Sequence, residues 1–292
     1  MKKYLLGLVF LSLISCGNSD DPDNPITNDP LLPKIKTLSI KDEETINGST
    51  TLYENYDYKF EYDQDKLVKV WDTKGNYTEN LVYENDLIST ITITGNKYVD
   101  NGPVSPYTIK RKLYYDNNRR LIKSEPISNT NVYNEYMVFE YPSPDVILVK
   151  FFGKNSWNDD IGVQNTHKIY FVNGNVTKVE QYFNESTSTG TYYFTTFEYD
   201  NKINPNSLID RSRILALPRN IYNIYVLQEF AQISKNNVVK KQAYWASPDY
   251  GVQPVGWSTD INYTYHSNGL PAVVSHDVPD LPGFKTSATF GF

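Results

Sequence analysis

The side chains with most to offer a ligand in this 292-residue chain are its tryptophans. Trp157 stands in the polar stretch 153–162 (G-K-N-S-W-N-D-D-I-G). Trp245 and Trp257 bracket residues 246–256 (A-S-P-D-Y-G-V-Q-P-V-G), with Tyr250 at the centre. Aromatic rings carried on loops stack on flat apolar faces and are enriched at binding hot spots. The competing expectation is that they fold back and cap a sheet, because large aromatics are usually well buried. Trp157, Trp245, Tyr250 and Trp257 are therefore the candidate ligand-binding residues. Pro248, Gly251, Pro254 and Gly256 are poor strand residues, so 246–256 is expected to leave the sheet as a defined loop. Trp71, within V-K-V-W-D, reads instead as one strand position among many.

Other reactive types are sparse. Of three histidines, His167 opens a strand pattern and His266 lies in a turn. His276, Asp277 and Asp280 could offer one nitrogen and two carboxylates to a metal. Pro279 and Pro282 more simply mark the same segment as a polar loop. Acidic pairs such as Asp159-Asp160 or Glu43-Glu44 could serve a glycosidase, but a chain with 34 acids always supplies pairs. No calcium loop, G-x-S-x-G elbow or Gly-rich phosphate loop occurs. No motif implies a cofactor, and none marks a catalytic residue.

The strongest chemical signal is at the N-terminus. Lys2 and Lys3 precede an apolar run, 4–15, too short to span a bilayer as a helix. It ends in Leu13-Ile14-Ser15-Cys16-Gly17, which looks like a bacterial lipobox: apolar, small, Cys, small. Residues 1–15 are thus expected to be a lipoprotein signal peptide. Cys16 would be lipidated, with the outer-membrane lipid as partner through that anchor and palmitate as one acyl group. Cys16 is also the sole cysteine, so no internal disulfide is possible. Residues 16–33, rich in Asp and Pro, read as an extended acidic tether. Acids directly after the cysteine resemble the surface-export signal of Bacteroidota lipoproteins. Net charge is −6 without a long basic run, which argues against nucleic acid as a partner.

The elements that must position these residues are strands. Tyr58, Phe60 and Tyr62 alternate with Lys59, Glu61 and Asp63, a polar break follows, and Leu67, Val68 and Val70 begin a second run. That is the pattern of a hairpin with one buried face. It recurs: an aromatic closes each first strand at Tyr62, Tyr83, Tyr115, Tyr141, Phe171, Tyr199 and Tyr265. Similarity at a spacing of roughly 20–50 residues signals a repeat whose units bury their faces against neighbours. Asn173-Gly174 is the strongest two-residue turn. The long interval between Tyr199 and Tyr265 holds the best helical candidate, an insertion at about 206–235 with Pro218 placed for a first turn. The expected fold is all-β: a large antiparallel hairpin meander over 34–292, curved or barrel-like, with one short helical insertion.

Tyr114-Tyr115-Asp116-Asn117-Asn118-Arg119-Arg120-Leu121 resembles a YD repeat, with Arg119 where the pattern has Gly. Together with Cys16 and the acidic tether, the chain is similar to uncharacterised Bacteroidota surface lipoproteins built from degenerate YD-like hairpins. That resemblance covers residues 35–292 and implies a porin-like curved sheet or barrel. It brings no catalytic residues. The functional expectation is a non-enzymatic module facing the cell exterior, binding glycan or another surface ligand, possible partners including a surface protein. The alternatives are a surface polymer hydrolase and a structural or assembly lipoprotein of an outer-membrane complex.

Overall fold

The computed structural model describes residues 33–97, 105–127, 136–154, 161–183, 190–217, 230–278 and 281–292. All seventeen strands belong to one sheet. In chain order they are β1 Thr37–Ile46, β2 Ser49–Asp63, β3 Lys66–Asp72, β4 Tyr77–Glu84, β5 Leu87–Lys97 and β6 Ser105–Tyr115. Then come β7 Leu121–Pro126, β8 Tyr136–Ser143, β9 Val146–Lys154, β10 Ile161–Val172, β11 Asn175–Phe183 and β12 Tyr192–Ile203. The last five are β13 Asn236–Ser247, β14 Gly251–Asp260, β15 Asn262–Tyr265, β16 Pro271–Asp277 and β17 Phe284–Gly291.

Each strand pairs antiparallel with its chain neighbour, and β1 also pairs with β17, from Thr37↔Gly291 to Glu44↔Phe284. The meander therefore curves enough to bring its first and last described strands side by side. Its seam is the step from β14 to β15, separated by Ile261 alone: β14 pairs back to β13 and β15 onward to β16. Asn173 and Gly174 both have positive φ, 52° and 77°, and join Val172 to Asn175 as the sequence predicts.

One face of the sheet is core. Leu38, Ile40, Phe60, Val70, Ile91, Ile93, Val149 and Ile169 all point into a single buried cluster. The opposite face alternates charge with aromatic rings: Lys69 lies 4.9 Å over Trp71, Lys112 5.2 Å over Tyr114, and Lys168 5.0 Å over Tyr170. A curved sheet of this many strands encloses too wide a space for its own side chains to fill. The β12–β13 insertion supplies the missing volume. It consists of a 3₁₀ turn Pro205–Leu208, a short helix α1 Arg211–Leu215 capped by Asp210, and a second 3₁₀ turn Ala231–Ile233. Ile209, Ile214, Leu215, Phe230 and Ile233 join the core. Residues 218–229, where the sequence places the start of a helix at Pro218, lie outside the described residues.

The plug is pinned by polar contacts that match the donors and acceptors of a buried interior. Arg213 donates from Nε and a terminal nitrogen to both oxygens of Glu79 on β4, at 2.7 and 2.6 Å, with both side chains fully buried. Tyr77 adds a third donor to Glu79 at 2.9 Å. Ser124 on β7 donates to the Ala216 carbonyl at 2.7 Å, and Arg111 in turn donates to Ser124.

The two rims of the sheet differ. At the near rim, where the chain enters, Lys34 donates to the Gln64 carbonyl and Asp65 in the β2–β3 turn. Here the recurring aromatics sit, and a register shift falls at Tyr62, Tyr83, Tyr115, Phe171, Tyr199 and Tyr265. Four tyrosines of the series then reach the preceding hairpin. Tyr83 donates to the Leu67 carbonyl at 2.9 Å, Tyr115 to Ile88 at 2.9 Å, Tyr141 to Leu121 at 2.8 Å, and Tyr199 to Val176. Leu67, Ile88, Leu121 and Val176 are the residues paired with the previous aromatic of the series. A bulge leaves backbone groups outside the ladder, and the next hydroxyl satisfies one of them. The sequence repeat is thus a physical chain of ring, bulge and carbonyl.

Candidate functional site

At the far rim the core face of β11, β12 and β13 runs past the plug and meets solvent. Gln181 lies opposite Tyr193, and Tyr193 lies opposite Trp245, so the three share that face. Phe183 packs edge-on against Tyr193 with centroids 6.0 Å apart, and Tyr250 stacks on Trp245 at 5.9 Å. The result is a row, Phe183–Tyr193–Trp245–Tyr250, lying across the strands. Tyr250 is 70% exposed, Phe183 54% and Tyr193 40%, while Trp245 is half-buried beneath its neighbours. Exposed rings held on a rigid sheet can stack on a flat apolar ligand face without first being ordered.

The β13–β14 hairpin that carries two of these rings corrects one expectation. Residues 246–256 do not leave the sheet as a loop. Only Pro248–Tyr250 form the turn, and β14 resumes pairing at Gly251 opposite Ser247. Gly251, with φ of 68°, makes the re-entry that a side chain would resist. Pro254 is tolerated because β14 has one pairing partner among the described residues, and a strand edge does not need every N–H. Register shifts between Lys241 and Ala243, so β14 carries extra residues around Gly256 and Trp257. Bulges of this kind re-aim side chains at sheet edges.

Of the residues singled out from sequence, the structure brings Trp245 and Tyr250 together. Trp257 is described by its backbone alone, and Trp157, Cys16 and Asp280 lie outside the described residues. His276 and Asp277 are consecutive in β16, opposite Thr286 and Lys285, so their side chains leave opposite faces and cannot chelate one ion together. His276 Nδ1 lies 3.2 Å from the Asp277 carbonyl oxygen. Among the described residues no group of three or more His, Cys, Asp or Glu side chains stands where it could hold a metal. Phe183 and Tyr193 were missed. Their signal was a mirrored pair of aromatics, Tyr182-Phe183 and Tyr192-Tyr193, on either side of one loop.

The outer face of the same strands is also aromatic but closed. Tyr182 stacks on Tyr192 at 4.9 Å and Phe194 on Tyr244 at 4.8 Å. Beneath them Glu180 accepts from Tyr170 at 2.6 Å, from Tyr182 at 2.7 Å and from Lys178. Burial pushes the Glu180 carboxyl up, and these three donors outweigh it and hold the group below its usual range. The outer rings are occupied by one another, by Lys178 and by the buried carboxylate.

No protein-family profile matches this chain, and no curated protein matches it. Among solved structures it is similar to a porin-like protein from Bacteroides vulgatus, at 13% identity with a TM-score of 0.46 over 86% of this chain and 97% of that one. It is also similar to a porin-like protein from Bacteroides uniformis, at 8% identity with a TM-score of 0.30 over 89% and 98% of the two chains.

Proposed function

We propose that this chain is a lipid-anchored, non-enzymatic binding module that captures a glycan on the row Phe183–Tyr193–Trp245–Tyr250. The observation that carries the reading is the exposure of Phe183, Tyr193 and Tyr250 on a face where Phe60, Phe139, Phe151 and Phe197 are buried. The anchor is Cys16, within Leu13–Gly17, and the membrane is the outer membrane with the body on its exterior side.

The wall supports a body standing in water. Lys59, Lys69, Lys112, Lys150 and Lys168 lie on the outer face along the strands. A lysine on the lipid face of a barrel costs about 2–4 kcal/mol at the bilayer midplane. The apolar-inside, charged-outside arrangement is the reverse of what lipid requires. The chain enters at the near rim and the aromatic row lies at the far one, which favours presentation of the row away from the anchor.

The test has two parts. Labelling with a palmitate analogue marks the wild-type protein and not Cys16→Ser. Full-length protein in mild detergent is retained on immobilised cell-surface glycans, while Tyr193→Ala and Tyr250→Ala elute early with unchanged thermal midpoints. Equal retention of both variants removes the row as the binding site.

A further inference from the structure

We infer that the row is built for a linear, uncharged oligosaccharide lying across the strands, rather than for a single sugar or an acidic polymer. This rests on the glycan reading above and specifies its ligand. Its first support is length. The row crosses β11, β12 and β13 and continues onto the turn after β13, and adjacent strands lie about 4.8 Å apart. Four rings in sequence thus extend over roughly 15 Å, several times the span that one sugar ring would cover. They are successive, not gathered around a point: Phe183 touches Tyr193, Tyr193 faces Trp245, and Trp245 stacks on Tyr250.

The second support is charge. Going from the row toward the plug, the register places Gln181, Thr195, Ala243 and Val255 on the same face, and Gln253 opposite Trp245. None of these carries charge, and the first cation on that face is Lys241, beyond Ala243 and opposite Phe197. Gln253 is held by its own hydrogen bond to the Tyr250 carbonyl at 3.2 Å, which fixes a neutral amide beside the exposed ring. Amides and ring faces suit hydroxyls and C–H faces, whereas a carboxylated or sulfated polymer lying along the row would meet neutral groups, since Lys241 stands four residues from Trp245, about 13 Å along the strand. The third support is rigidity. Val179 and Phe197, further along the same face of β11 and β12, are core residues, so the spacing of the platform is set by the packed sheet beneath it.

The experiment is isothermal titration of the full-length protein with neutral β-1,4-linked glucose, mannose and xylose oligomers of one to six residues, and with galacturonate oligomers of the same lengths. Affinity for at least one neutral series rises by about 2- to 10-fold per added residue, levels off near four, and changes little between about 0.05 and 0.5 M salt. Tyr250→Ala, which removes an end of the row, moves the plateau about one residue shorter and weakens the longest oligomers most. A structural role for Tyr250 would instead weaken every length alike. A monosaccharide that binds as tightly as the tetramer, or a galacturonate series that binds more tightly and is salt-sensitive, overturns the inference and leaves the glycan reading standing. Failure of every oligomer to bind overturns both.

Discussion

The near and far rims are made from the same residue types and do opposite things with them. At the near rim Tyr83, Tyr115, Tyr141 and Tyr199 each pack a ring on the core and give a hydroxyl to a neighbouring hairpin. Burial raises the pKa of Tyr83, Tyr115 and Tyr199, so these hydroxyls stay protonated as donors. At the far rim Tyr53, Phe183, Tyr193 and Tyr250 remain exposed, as do Ile46, Leu52 and Leu281 on the hairpins around them. The difference is not residue preference. At the near rim a bulge frees a carbonyl for the next hydroxyl; at the far rim Phe183, Tyr193 and Tyr250 stand exposed to solvent. Where an aromatic is placed along its strand decides whether it stabilises the sheet or stays exposed to solvent.

Four substitutions break or sharpen that contrast. The largest effect is expected at the plug: Arg213→Ala leaves Glu79 buried without its cation and costs about 3–5 kcal/mol. Urea denaturation of Arg213→Ala beside Tyr250→Ala reads the two ends directly, the second shifting by less than about 0.5 kcal/mol. Comparable losses in both would erase the distinction between the rims.

Next is Tyr115→Phe. It keeps the ring and removes the donor to the Ile88 carbonyl, for an expected loss of about 1–2 kcal/mol. A midpoint equal to wild type would reduce the hydroxyl series to coincidental geometry.

Acid stability gives a third handle, on the outer face behind the row. Because the folded carboxyl of Glu180 titrates below its unfolded value of about 4.3, its contribution is complete above that pH. It is lost as pH falls through the folded value. Between about pH 5 and 3 the wild type should therefore lose more stability than Glu180→Gln, which is weaker at neutral pH. Parallel pH profiles for the two proteins would contradict the assignment.

The smallest effect is at Arg119, held at φ of 65° in the β6–β7 turn. Its guanidinium makes long contacts, 3.4 and 3.5 Å, to the Asn85 and Asp86 carbonyls. Arg119→Gly relieves a left-handed conformation and should gain about 0.5–1 kcal/mol in thermal unfolding. A loss would mean that those carbonyl contacts outweigh the strain.

Much of the near rim was legible in the sequence because its determinants are local. An aromatic, a short D/N-rich turn and an aliphatic lie within ten residues of one another, and even the position of the absent glycine is marked by the φ of Arg119. The Asn173-Gly174 turn was readable for the same reason. The far rim was not, because its row is assembled by pairing across three strands, and Tyr193 meets Trp245 only through a register that no local pattern records. Pro254 misled the reading of 246–256, since proline excludes a central strand but not an edge. The plug's pin was equally hidden: Glu79 and Arg213 are joined by the fold and not by any motif.

The pairing of β1 with β17 has a consequence for how such a chain reaches its finished state. During synthesis β1, the first of the described strands, must wait for β17, the last, with some 240 residues of sequence between the two partners. Until then β1 presents an unpaired edge, a template for any other extended chain nearby, and loop closure over that distance is slow relative to local hairpin formation. Its own alternatives are limited, because β2 follows within three residues and covers one side of β1 at once. The hairpins can zip in the order in which they are made, several tyrosines locking onto the hairpin before, but β1 gains its second neighbour only from the eight-residue β17. Truncation by one hairpin at the C-terminus would thus leave a protein nearly whole in composition and open to aggregation along its oldest edge.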